Sequence, residues 1–493
     1  MDLKKVLKIL KKYLWLIVSV LVVGGIGFIG FRQTGCVSPS DAVFHVFQMF
    51  FLNYSFDDTP VNCCLQIARF AAPLVTFAGF RKGLVNFANF VRTHAKTAQL
   101  GSIAVYAPEE TAARLVKRLA ERGENGVVGG SEFLSADTYI LYNDSAWNAR
   151  FLSMNREDLK NRQVYLRTDT LPAHSVSSRN LHLFSPAEIV ARDYWKTCGL
   201  LRVAAEQSYR CEVVLLGFGA LGEQLLYWGL QDNVFSPDQL IRYHIFGDAE
   251  EFLSAHPYLR EIGDPVIPHA DGWLDHLDLL RGASLVLVLP EASDAPAQEK
   301  TVYQLLSLLP GKKLVAFTEE PTLLSELDKR VKVIDMTEDP LDPKLIMGDE
   351  LIEHAMRINL RYLNRRMREK GKTIEESPEN RRAEWDKLST FLRYSNIGAA
   401  DYHEIRKQLL EQRRVAPTRD AIDAETWELL EELEHMRWCR FYWLNNWRWG
   451  DPKNGETNDP DRRVHMDLLP YHALPDSELH KDREIIEVML ELK

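Results

Sequence analysis

Cysteine is scarce in this 493-residue chain, and the six present (Cys36, Cys63, Cys64, Cys198, Cys211 and Cys439) form no CxxC pair and have no histidine partners at zinc-finger spacing. That scatter suits a reduced cytoplasm, with Cys211 and Cys439 read as small hydrophobes. A basic excess is also missing. The net charge of -10 argues against a dedicated nucleic-acid binder, which would present a basic face to phosphates, whereas small anionic ligands remain open through local sites. Long disordered stretches are not expected either, because 46% of residues are hydrophobic and 26% charged. The length predicts two to four domains in the soluble part.

Against that background, one uncharged apolar run stands out, Tyr13 to Phe31. It is close to the roughly 20 residues a helix needs to cross a bilayer. Lys4, Lys5, Lys8, Lys11 and Lys12 precede it, which predicts a cytoplasmic N-terminus. A second run, 63–80, is followed by Arg81 and Lys82 and returns the chain to the same side. It contains Gln66, Arg69 and Pro73, and a charge at membrane depth such as Arg69 is either functional or snorkels to the interface. Between the runs, 42–52 is apolar but too short to cross, which suits a re-entrant or interfacial helix, with Asp41 placed to cap it. This layout is similar to that of two-span channel pores. Where a potassium filter would follow, however, the chain reads Leu52-Asn53-Tyr54-Ser55-Phe56-Asp57-Asp58. Residues 1–99, ending in a linking helix from about Gly83 to Gln99, are expected to form a multi-pass membrane region, placing the protein in the inner (plasma) membrane with its main body in the cytoplasm.

Beyond it, strand patterns at Ser102–Tyr106, Thr138–Tyr142 and 163–166, with an amphipathic helix at 109–122, predict a degenerate Rossmann-like α/β unit over 101–205. Ala107-Pro108-Glu109-Glu110 follows its first strand, so no glycine turn waits there for a phosphate. A second unit, 211–345, carries Gly217-Phe218-Gly219-Ala220-Leu221-Gly222 directly after an apolar strand and before a helix. In GxGxxG the first glycine allows the tight turn, the second admits a pyrophosphate, and the third lets helix and strand pack closely. The next strand, 242–246, leads to Asp248, a candidate acceptor for ribose hydroxyls that is equally suited to capping a helix. Strands at 284–289, 313–318 and 331–334 complete the βαβ alternation of a doubly wound sheet.

Together with the hairpin, this unit resembles the potassium-channel regulatory domains called RCK, or Trk-type nucleotide-binding domains. The resemblance implies NAD(H) or another adenine nucleotide as a regulatory ligand, held at Gly217, Gly219, Gly222 and Asp248, and no chemistry.

The stretch 346–380 reads as a helical linker, and 381–493 as mainly helical and rich in tryptophan. Trp385-Asp386-Lys387-Leu388, Phe391-Leu392-Arg393-Tyr394, Leu433-Glu434-His435-Met436-Arg437-Trp438 and Asn446-Trp447-Arg448-Trp449-Gly450 closely resemble the RyR domain, first described in ryanodine receptors. The resemblance implies a ligand-binding or interaction module. From the residues themselves, Trp438, Trp447 and Trp449 beside Arg393, Asn396, His435 and Arg437 form a candidate pocket, since aromatic faces and guanidinium groups hold bases and phosphates. The same tryptophans also serve as core mass in a small helical domain.

The expected function is a nucleotide-responsive membrane protein, a homo-oligomer serving as an ion-channel subunit or transport regulator. The alternative is a membrane-anchored sensor or scaffold without a pore. A NAD-dependent oxidoreductase ranks third, because His244, His256, His269 and His276 are candidates by residue type alone.

Overall fold

The computed structural model describes the chain apart from residues 1–2, 36, 55–60, 131–132, 170–179, 291–294, 320–323, 369–370, 454–455, 476–477 and 492–493. Side chains at 3–14, 17, 82–94, 295–297, 325, 327 and 349 also fall outside it. Cys36, loop positions 55–58, the N-terminal lysines and the Lys82 side chain therefore lie outside the described residues. The chain forms two compact units, 1–99 and 100–493.

In the first unit, helices Leu3–Gln33 and Cys63–Thr97 pack along each other, with the short helix Pro39–Phe50 between them in sequence. Glycine sets how closely they approach. A Cβ on Gly30 would lie 2.9 Å from the Leu65 backbone nitrogen, and one on Gly27 would lie 3.1 Å from Val46. Asn62 then joins the two helices, donating to the Gly30 carbonyl (2.8 Å) and accepting from the Leu65 amide (2.9 Å). The short helix starts earlier than its apolar pattern suggests. Its cap is Ser38, whose hydroxyl accepts from the Asp41 amide, and Pro39 sits in the first turn, where it has no amide to lose. The expected linking helix is not separate, because Cys63–Thr97 runs through without a break. Among the described residues, Cys63–Arg81 is the one helical stretch long and apolar enough to cross a membrane, and Val18–Gln33 is a shorter apolar stretch. Arg69 is half-buried, with its guanidinium 5.0 Å from the Phe70 ring centroid.

The second unit contains two parallel sheets among the described residues. The first has the order β2-β1-β3-β4-β5, built from β1 (Ser102–Tyr106), β2 (Asn125–Val128), β3 (Thr138–Leu141), β4 (Gln163–Arg167) and β5 (Leu181–Phe184). The second comprises β6 (Arg210–Leu216), β7 (Leu240–Phe246), β8 (Val266–Pro268), β9 (Leu285–Val288), β10 (Leu314–Thr318) and β11 (Val331–Asp335). Its order, β11-β10-β9-β6-β7-β8, reverses between β6 and β9, which makes a topological switch point at their C-terminal ends. β2, β5 and β8 are too short or too polar to show a period in the sequence, and pairing with longer neighbours creates them.

The boundary read at 380 falls inside a packed helical body. Helix Asp349–Arg368 contributes Ala355, Met356 and Ile358 to one core with Trp385, Ala399, Ala400 and Val488. These helices also share a core with the second sheet, in which Tyr402, Ile405, Leu433 and Leu444 meet Phe218, Leu225 and Trp228. Polar ties cross the same contact. Arg440 reaches Asp264 (2.8 Å) and the Leu230 carbonyl (3.0 Å), while the Leu444 carbonyl accepts from His256 (2.7 Å).

Candidate functional site

The glycine turn leaves β6 with Gly217 at φ +90° and Gly219 at φ +59°, conformations that side chains other than glycine adopt only with strain. The Gly217 amide donates to the Phe246 carbonyl at the end of β7 (2.8 Å), which pins the turn to the neighbouring strand. Helix Gly219–Asp232 follows. Its cap residue, Phe218, makes no side-chain cap, and its first turn holds no acid, so the dipole end of the helix faces the turn without a side-chain counter-charge.

Within the motif the side chains divide by face. Gly219 and Ala220 are exposed, and a Cβ on Gly219 would meet nothing within 4 Å, so space is open where a pyrophosphate would approach. Phe218 and Leu221 point into the core, and Phe218 sets its ring edge-on to Phe252 at 5.9 Å. Gly222 is required by packing, because a Cβ there would come within 2.7 Å of the Phe218 ring.

Asp248 is exposed just beyond β7, and its Oδ1 accepts from the Glu250 amide (3.2 Å), although the cap position of the next helix belongs to Ala249. Glu250 and Glu251 open the next helix, and burial together with Glu251 pushes the Glu223 carboxyl upward. An acidic rim of this kind favours ribose hydroxyls and opposes a 2′-phosphate. Residues 291–294 and 320–323, which come after β9 and β10 in sequence, lie outside the described residues.

The seven C-terminal candidates do not converge on one pocket. Arg437 is buried, and its Nε and Nη2 bond Glu434 at 2.9 and 2.7 Å. His435 faces the Leu469 carbonyl (2.9 Å) and stacks on Trp438, with ring centroids 5.5 Å apart. Trp447 is core, stacked on Phe391 at 5.2 Å, whereas Trp449 is 60% exposed. Asn396 donates to the Leu392 carbonyl one turn earlier in its own helix (2.8 Å). The physical reason is that helix Ala424–Leu444 buries residues on every side, so neighbouring positions point to different surroundings.

Arg393 alone of the seven lines a cavity of about 570 Å³, within the range of ligand sites. Its guanidinium lies 5.9 Å from the Trp385 ring centroid and donates to the carbonyls of Trp385 and Asp386, both at 3.2 Å. Deeper in, Arg192 grips Asp401 with Nε and Nη2 (both 3.0 Å), Lys196 joins the same carboxylate (3.0 Å), and the Tyr394 hydroxyl donates to Glu188 (3.3 Å). His403, also on the wall, is buried, with its ring against the Ile485 backbone. Burial, then Arg406 and His354, hold its imidazole neutral. At the other end, burial, followed by Arg382 and Arg393, pushes His182 down to about 4. Sequence reasoning found Arg393 and missed the rest, because the wall is assembled from segments far apart in the chain.

Asp401 gives this site an acid-side signature. Burial would raise its carboxyl, but Arg192 and Lys196 outweigh burial and hold it well below the usual range. A carboxylate depressed in the folded state supplies stability above about pH 4 that is lost as the pH falls toward the folded value. Melting curves should therefore show wild type losing stability steeply below about pH 4, with Asp401→Asn flatter there and weaker at pH 7 by about 3 kcal/mol. Equal slopes for the two proteins would contradict this assignment.

Of the four histidines near the glycine unit, His244, His269 and His276 come together, with ring centroids 5.2 and 4.5 Å apart in sequence, while His256 is engaged by the Leu444 carbonyl. No protein-family model matches this chain, and no curated protein matches it significantly.

Proposed function

We propose that the chain is a nucleotide-responsive membrane protein, in which residues 100–493 sense NAD(H) or another adenine nucleotide and residues 1–99 hold it in the bilayer. The observation that carries this reading is the open glycine turn, placed at the end of β6 beside the switch point of a parallel sheet and aimed by a helix N-terminus without a side-chain cap. The RCK and RyR resemblances agree with it. A binding role rather than an enzymatic one suits the turn, since its described neighbours, Ala220, Asp248 and Glu250, make no nucleophile–base pair. Thermal denaturation of the full chain with NAD(H), NADP(H), ATP and ADP tests the premise. Stabilisation by NAD(H) or an adenine nucleotide is expected, and none by any of them would remove the proposal.

A bilayer setting is supported by the apolar surface of the first unit, where Leu21, Phe47, Phe70, Leu74, Phe77 and Phe80 are each more than 60% exposed. In this reading the two long helices are the spans of a hairpin in the inner membrane, with the N-terminus in the cytoplasm, and Arg69 lies at membrane depth. A pore needs several copies, because each chain supplies one hairpin. Nucleotide-dependent ion flux through liposomes carrying the oligomer is the expected result for a channel subunit. Folded, nucleotide-binding oligomers that pass no ions would favour the anchored sensor.

A second location for the nucleotide is favoured by Arg393, held over Trp385 on the wall of the cavity. Binding that survives at the glycine turn's expense but is lost in Arg382→Ala and Arg393→Gln would select the cavity.

A further inference from the structure

Glu212, His244, His269, Asp271 and His276 form a continuous polar chain at the second sheet, reaching the ring of Phe246. Glu212 lies on β6 and His244 on β7, while His269 immediately follows β8 and is fixed there by its amide, which donates to the Ile245 carbonyl (2.9 Å). His276 closes the short turn Trp273–His276. One ligand atom from each of His269, Asp271 and His276 lies within 4.8 Å of the others.

Hydrogen bonding assigns the ring nitrogens. His244 Nε2 contacts Glu212 Oε2 at 2.8 Å, and His244 Nδ1 contacts His269 Nε2 at 2.9 Å. With the carboxylate accepting at one end, His244 carries its proton on Nε2, so its Nδ1 accepts from His269 Nε2–H. His269 Nδ1 is then left with its lone pair turned toward Asp271 Oδ1, 4.0 Å away. Phe246 stacks on His269 at 4.3 Å and 8°, which fixes the plane of the ring. On the other side, His276 Nε2 lies 2.8 Å from Asp271 Oδ2.

This is the arrangement metal-binding histidines show: one nitrogen faces the ion and the other donates to a partner that ends in a carboxylate. We propose that His269 Nδ1, Asp271 and His276 Nε2 bind a divalent first-row transition metal of the zinc class, with His244 and Glu212 as positioning residues. Two imidazoles and one carboxylate leave one position of a tetrahedral site for water or another ligand. Donors around zinc stand about 3.3 Å apart for bonds of about 2.0 Å. Asp271, whose side chain is 57% exposed, has the freedom to give up its contact with His276 and close the remaining distance.

The test uses the full chain in detergent, free of any histidine tag, stripped with a chelator and reloaded with Zn²⁺ or Co²⁺. Wild type is expected to retain one zinc per chain after gel filtration and to give Co²⁺ d–d absorption without a thiolate charge-transfer band. His276→Ala and Asp271→Asn, both at accessible positions and checked for folding by circular dichroism, should bind at least 100-fold more weakly. His244→Gln and Glu212→Gln should weaken binding about 10–100-fold, the range for outer partners of a ligand. Zinc lost from wild type on gel filtration would overturn the proposal, as would folded His276→Ala and Asp271→Asn proteins that bind like wild type, which would mark the ion as adventitious.

Discussion

Replacing Glu434 with alanine is expected to destabilise the 100–493 unit by about 3–5 kcal/mol, the usual consequence of removing one partner from a buried ion pair. Glu434 is fully buried and accepts from Arg437 and also from Arg406, itself fully buried. Burial would raise the Glu434 carboxyl, but Arg437 and Arg406 overcome it and keep the group ionised. One carboxylate therefore serves two guanidinium groups, and its loss strands both. The remaining contacts are too few to compensate. Arg406 keeps the Ala399 carbonyl (3.1 Å) and the face of Tyr402 (4.8 Å), while Arg406 Nε and Arg437 Nη1 already lack partners among the described residues. Because Arg440, further along the same helix, is tied to Asp264 beside β8, the damage should spread into the second parallel sheet. Calorimetry of the full chain measures the effect, and a loss below about 1 kcal/mol, the value of an exposed pair, would show the cluster is not closed to water.

Gly219→Asp should abolish nucleotide-induced stabilisation. At a ligand concentration 100 times Kd that stabilisation is about 2.7 kcal/mol, so its disappearance is easily measured. Two causes act together. The new carboxylate would occupy the open space before the turn and repel a pyrophosphate, and a residue at φ +59° adds strain of about 1 kcal/mol to the unliganded protein. Comparing shifts relative to each protein's own unliganded melting point separates them. A normal shift in Gly219→Asp would move the ligand away from the turn, and a wild-type response to NADP(H) equal to that for NAD(H) would argue against a role for Asp248 and its acidic neighbours.

Local pattern carried much of the fold. The apolar runs, the strand at Ser102–Tyr106, the strands β6, β7, β9, β10 and β11 and the glycine turn depend on residues within a few positions of one another, and such signals survive in a single sequence. Gly217 and Gly219 were legible because a tight turn needs left-handed backbone wherever it occurs. Elements created by a neighbour were not. β5 exists because β4 offers it a ladder, and helix Asp349–Arg368 belongs with the C-terminal helices because its apolar stripe has Trp385 and Ala399 to meet.

The sites divide in the same way. By itself the sequence determined the glycine motif, the candidate spans and the tryptophan-rich C-terminus, since each is a contiguous run. Only the tertiary structure decided that Arg437 is sealed against Glu434 and not open to a ligand, that Arg393 shares a cavity with His403, and that His244 and His269, 25 residues apart, meet at 2.9 Å. The reason is geometric. Parallel strands return the chain to the same sheet edge after each helix, so side chains distant in sequence become neighbours there, and no spacing rule along the chain records which ones will meet.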